Sequence, residues 1–134
     1  MLFRSIVAVA LAATACADPT SLTYVNRRSF SPPMAMYGDW WEELEQCSGR
    51  RRNMGGIRWF LADWISGGTH VHGQWISNRE ITFKDGFELE DWVVKHEMLH
   101  DLLDGDRDHT HFAWRVCVPA PGGGPEYGSS PPGP

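Results

Sequence analysis

His96 and His100 stand four residues apart, with Glu97 directly after the first of them. On a helix, positions i and i+4 lie nearly under one another, so both imidazoles can reach one metal ion. Glu97 falls about 100° further round the helix, which sets its carboxylate beside a water on that ion. Two nitrogen ligands and a neighbouring general base suit zinc and hydrolysis by a metal-activated water. A hydrolytic zinc takes three protein ligands and keeps one position for water. The third must come from chain that folds back over the helix end, where Asp104, Asp106, Asp108, His109 and His111 are the candidates.

These groups need an element to carry them. The pattern predicts a helix over residues 88 to 104, with Glu88, Glu90 and Asp91 in its first turn and Gly105 as its C-terminal cap. Val93, Val94, Met98, Leu99, Leu102 and Leu103 make it apolar on nearly every side, so it should be central and buried. Two histidines and a glutamate buried on such a helix are costly unless something binds them. That cost argues for a metal more strongly than the spacing does.

Other elements follow from the same reading. A first helix fits Tyr37 to Cys47, with Asp39 as N-cap and Ser48-Gly49 ending it. Ile57 to Ala62 alternates as a strand, a second extended piece surrounds Gly73 to Ile76, and Glu80 to Phe83 forms a third strand closed by a turn at Lys84, Asp85 and Gly86. The fold class is α+β: a small, mostly antiparallel sheet packed on the central helix and one N-terminal helix. Seven tryptophans in so short a chain fit core filling better than ligand binding.

At 134 residues the chain holds one domain. Residues 1–16 read as a signal peptide, with Arg4 before an apolar run that is too short to span a bilayer. Ala13-Thr14-Ala15-Cys16 reads as a lipobox with Cys16 as the lipidated residue; the alternative is simple cleavage after Ala15 or Ala17. Residues 17–33 are turn-rich and expected to be a linker, 34–118 the domain, and 119–134 a disordered Pro/Gly-rich tail. The expected location is the cell envelope, anchored to a membrane by the N-terminal lipid, or else secreted or periplasmic. Export leaves Cys47 and Cys117 as an even pair in an oxidising compartment, and a bridge between them would close a loop of about 70 residues worth about 4 kcal/mol in the chain-entropy model.

The net charge of −5 and the absence of a basic patch beyond Arg50-Arg51-Arg52 exclude nucleic acid as a natural partner. The acidic run from Asp104 to Asp108 fails as an EF-hand, which would need Gly at 109 and Glu at 115 where this chain has His109 and Arg115. His70 and His72 would share a face if extended, but beside three glycines they read as an exposed loop ahead of an accessory metal pair.

The sequence resembles the zincin superfamily of metallopeptidases in His96, Glu97 and His100. Neither large clan completes the pattern: Leu103 stands where metzincins want glycine, no methionine follows Met98, and the only later glutamate is Glu126. A closer resemblance is to small bacterial envelope proteins with a minimal zincin-like domain. It is carried by Trp41, by Glu45, Cys47, Ser48 and Gly49, by Ile57 and Trp59, by His96 to His100, and by His109, Phe112 and Cys117. That resemblance implies His109 as third ligand, ahead of His111 and Asp106, and a Cys47–Cys117 bridge. It implies one zinc per chain, Glu97 as general base, a peptide or protein substrate held along the strand beside the helix, and a monomer. His111 is the expected oxyanion partner. The rival expectations are a non-catalytic, metal-stabilised envelope binding domain and a zinc-handling lipoprotein.

Overall fold

Tyr37, Trp41, Leu44 and Ser48 recur at helical spacing and form the buried stripe of the first helix. In the computed structural model, which describes residues 23–67 and 71–118, that helix is α1 (Met34–Ser48). It starts a turn earlier than the pattern suggests. Pro33, with φ −67°, sets up the entry without any side-chain cap, and Met34, Ala35 and Met36 are good helix formers. Asp39 lies inside the helix and does not cap it. Gly49 ends it in the left-handed region, φ 70°, with its N–H donating to the Glu45 carbonyl.

Among the described residues, six short strands follow the α+β expectation: β1 (Tyr24–Val25), β2 (Arg28–Ser29), β3 (Arg58–Ala62), β4 (Trp64–Ile65), β5 (Gly73–Ile76) and β6 (Glu80–Lys84). One sheet has the order β2-β3-β6-β5. Its β2–β3 and β5–β6 pairs are antiparallel, and its central β3–β6 pair is parallel, aligning Trp59 with Ile81 and Leu61 with Phe83. A separate two-stranded sheet pairs β1 with β4. The linker expectation for 17–33 is therefore corrected from residue 23 onward: Tyr24 to Ser29 pair with β4 and β3, and Phe30 donates its N–H to the Trp59 carbonyl. The residues there make a local kink at Asn26, φ 51°, while the segment keeps running antiparallel to residues 60–65 instead of serving as a tether.

The motif helix is α2 (Asp91–Leu102), shorter at both ends than 88 to 104. Before it, Glu88 closes a turn with its carboxylate on the Gly86 N–H and its carbonyl on the Tyr37 hydroxyl. After it, Asp104 takes the left-handed position, φ 56°, and the Gly105 N–H reaches back to the His100 carbonyl at 2.8 Å. This is a Schellman-type ending with Asp104 at its left-handed position and Gly105, φ 93°, also at positive φ directly after it. Gly105 is needed for another reason as well: a Cβ there would stand 2.7 Å from the Trp75 ring.

α2 packs between β5 and α1, and Val93, Val94, Met98, Leu99 and Leu102 join Tyr37, Leu44, Trp59, Ile81 and Phe83 in one core. Each fully buried large side chain contributes roughly 1.5–3 kcal/mol. A last short helix, α3 (Ala113–Val116), was not expected from the sequence. The Cys47–Cys117 disulfide, Cα–Cα 5.7 Å, ties its end to the last turn of α1. Among the described residues no helix is long and apolar enough to cross a membrane. The expectations for the signal segment, Cys16 and the tail from 119 fall outside the described residues.

Candidate metal centre

His96 and His100 sit one turn apart on α2, with ring centroids 5.1 Å from each other. The chain then reverses through Asp104 and Gly105, and the loop brings His109, itself at φ 52°, against both. Its ring lies 5.1 Å from His96 and 4.9 Å from His100. One ligand atom from each of the three falls within 4.8 Å of the others.

Asp106 organises that loop. Its carboxylate accepts from the Thr110 hydroxyl at 3.0 Å, the His111 N–H at 2.8 Å and the Trp114 indole N–H at 2.8 Å. Desolvation alone would raise its pKa, but these donors and the Thr110 amide outweigh it and hold the group at about 2. An oxygen set so engaged is a loop anchor. His111 points elsewhere: its Nδ1 accepts from the Ala113 N–H and its ring rests against Phe112. Asp104 is exposed beside Arg52, and Asp108 is exposed too. Of the five third-ligand candidates, His109 alone joins the pair on α2.

Burial pushes the His96 imidazole down to about 4, and His109 adds to this. Burial pushes His100 to about 3, reinforced by His96 and His109. His109 is lowered by burial as well, against the opposing pull of Asp106 and Asp108. All three rings are therefore neutral at pH 7, the form that ligates metal. The residues also fit a metal by distance. Nε2 of His100 and Nε2 of His109 stand 3.3 Å apart, and two nitrogens on a tetrahedral zinc are about 3.3–3.4 Å apart. The far nitrogen of His100, Nδ1, is buried and has no hydrogen-bond partner among the described residues.

Glu97 is 7 % exposed. Burial raises its pKa to about 8, moderated by the backbone N–H of Trp75. Its side chain lies against Gly73 of β5, where a Cβ would come within 2.8 Å of Cγ and 3.1 Å of Oε1. β5 is an end strand of its sheet, and its Trp75 backbone N–H reaches the Glu97 carboxylate.

Several supporting residues were not legible as such. Trp114 touches all three histidine rings, at 5.0, 4.5 and 4.1 Å. Trp75 stacks on His100 at 6.1 Å and donates its indole N–H to Asp101. Asp101 is fully buried and ion-paired to Arg79. The one available signal was a tryptophan five residues after His109, on the short α3 that follows the polar run 104–111. His72 stacks on Phe87 at 4.0 Å and does not join the histidine group; His70 lies outside the described residues.

Comparison of the chain with known protein families, with curated proteins and with solved structures finds no match.

Proposed function

We propose that this protein is an exported zinc-dependent hydrolase acting on peptides. The observation that carries the reading is the convergence of His96, His100 and His109, three neutral imidazoles from two segments, on a helix that also buries Glu97. Zinc held by those nitrogens supplies Lewis acidity and a water of lowered pKa. Glu97 would take a proton from the attacking water at its carboxylate, the water oxygen would bond to the peptide carbonyl carbon, and Glu97 would pass the proton to the leaving amine as the C–N bond breaks. It would serve as a base because a divalent cation held by the three neutral imidazoles would oppose the upward shift that burial imposes. The outer edge of β5 offers backbone groups to an extended chain beside this carboxylate. No side chain in the described residues is assigned to the oxyanion; the His111 Nδ1 accepts from the Ala113 N–H, which leaves its Nε2–H as the donor. The Cys47–Cys117 bridge supports an oxidising compartment, and with the Cys16 lipobox it supports an envelope lipoprotein that works as a monomer.

One observation favours a second reading. A carboxyl held at about 8 is mostly protonated at neutral pH, which would suit a metal-stabilised binding domain with no catalysis. Peptide-library hydrolysis with and without a chelator, repeated on Glu97→Gln, separates the two. Chelator-sensitive cleavage that Glu97→Gln abolishes while keeping its metal supports the hydrolase. Absence of cleavage by metal-loaded wild-type protein leaves the binding domain.

A further inference from the structure

Trp114 has no part in the chemistry outlined above, yet among the described residues its indole is the one other ring near all three histidines. The three imidazole centroids form a nearly equilateral triangle with sides of 5.1, 5.1 and 4.9 Å. The indole centroid stands 5.0, 4.5 and 4.1 Å from its corners. A ring outside the triangle in the same plane could not be that near all three corners. Trp114 therefore lies over one face of it.

The indole cannot be a ligand, because its nitrogen carries a hydrogen and only donates. That N–H is committed to Asp106 at 2.8 Å. The same carboxylate holds the His111 N–H and the Thr110 hydroxyl, so one acidic group fixes both the tryptophan and the loop that delivers His109. From below, α3 is pinned to α1 by Cys47–Cys117. On the other flank, Trp75 covers His100 with its rings tilted by 21°.

We propose that Trp114, locked by Asp106, is the floor of the metal site. It closes one face of the His96–His100–His109 triangle and leaves the opposite face as the entry for water and substrate. Both are positioning residues. The tryptophan restricts the three imidazoles to orientations that share one point, and its apolar surface keeps solvent off that side. This rests on the zinc reading above.

The test uses metal affinity, not turnover. Zinc dissociation constants are measured on the full chain by competition with a chromogenic chelator, for wild type, Trp114→Phe, Trp114→Leu, Asp106→Asn and His96→Ala. The cobalt-loaded proteins are titrated with azide and followed by visible absorption. Trp114→Leu and Asp106→Asn are expected to weaken zinc about 10–100-fold and to alter the cobalt bands. Trp114→Phe, which keeps a ring, should recover part of the loss, and azide affinity should stay at the wild-type value. Melting of each metal-free variant shows whether it folds; if Trp114→Leu does not, Trp114→Phe and Asp106→Asn carry the comparison. Unchanged zinc affinity and cobalt bands in the folded variants would overturn the floor while leaving the zinc site standing. Tighter azide binding without Trp114 would overturn it too, since the indole would then cover the open position. A wild-type protein that takes up no metal, or loses none with His96→Ala, removes the underlying reading itself.

Discussion

Glu97 and Asp101 are two buried carboxylates one turn apart on α2, and the chain surrounds them in opposite ways. Asp101, fully enclosed, receives Arg79 through contacts of 2.7 and 3.2 Å and the Trp75 indole N–H at 3.1 Å. Arg52 adds a hydrogen bond of 2.6 Å to the Asp101 carbonyl. Glu97 has no ion pair with lysine or arginine among the described residues; it has the Trp75 amide, and burial drives its pKa to about 8. A third buried carboxylate, Glu80, follows the first pattern, paired with both Arg27 and Arg58. Compensated carboxylates act as struts. An uncompensated one costs free energy in the empty fold, and that cost is relieved by positive charge arriving nearby. Three neutral imidazoles, two on the same helix and one on the loop that follows it, are where such charge would sit.

The strongest way to break this contrast is Asp101→Ala. It leaves Arg79 and the Trp75 indole without their acceptor, and urea unfolding should lose about 3 kcal/mol. A loss below about 1 kcal/mol would mean that Asp101 is no strut. Gly73→Ala strikes the other carboxylate. A methyl 2.8 Å from Glu97 Cγ and 3.2 Å from Val93 Cγ1 must displace one of them. We expect stability to fall by roughly 1–3 kcal/mol, metal content to persist, and hydrolysis to drop about 100-fold. Wild-type hydrolysis in this variant would show that the position of Glu97 is immaterial.

Glu97→Gln should change stability little at acid pH, under about 1 kcal/mol at pH 4.5, and make the metal-free protein more stable than wild type as pH rises; its signature is the pH dependence in chelator. Glu97 is raised from 4.5 to about 8, so its contribution is full below pH 4.5 and is lost as pH rises through 8. His96 and His100 are lowered from 6.5 to about 4 and about 3. Their contribution is full above pH 6.5 and lost as pH falls towards 3. The metal-free wild type should therefore melt highest between these limits, while Glu97→Gln rises to a plateau above pH 6.5. Matching curves for the two proteins would remove the claim that Glu97 is uncompensated.

Much of the α+β frame was legible because strongly patterned segments announce themselves. The apolar girth of α2, the strand at β5 and the Gly49 stop all lie where the residues place them. The ends of elements were less so. Asp39 has the right chemistry for a cap, but Pro33 a turn earlier already fixes the backbone. Asn26 and its neighbours have linker composition, yet Arg27 reaches across to Glu80 and binds the segment to the sheet. The ligand pair on α2 follows from helical period alone. The choice of His109 over His111 does not, because it depends on Asp104 and His109 both adopting left-handed backbone and on Asp106 capturing the His111 N–H. Such non-glycine strain has no one-residue signal. Trp114 was hidden among seven tryptophans that composition assigns to the core, and only the folded loop distinguishes it.

The most direct measurement of the central claim is the zinc content of purified wild-type, His109→Ala and His111→Ala proteins, taken after dialysis at pH 7 on samples verified as folded. One zinc per chain is expected in wild type and in His111→Ala, and well under half in His109→Ala. Equal zinc in all three, or none in wild type, would contradict it.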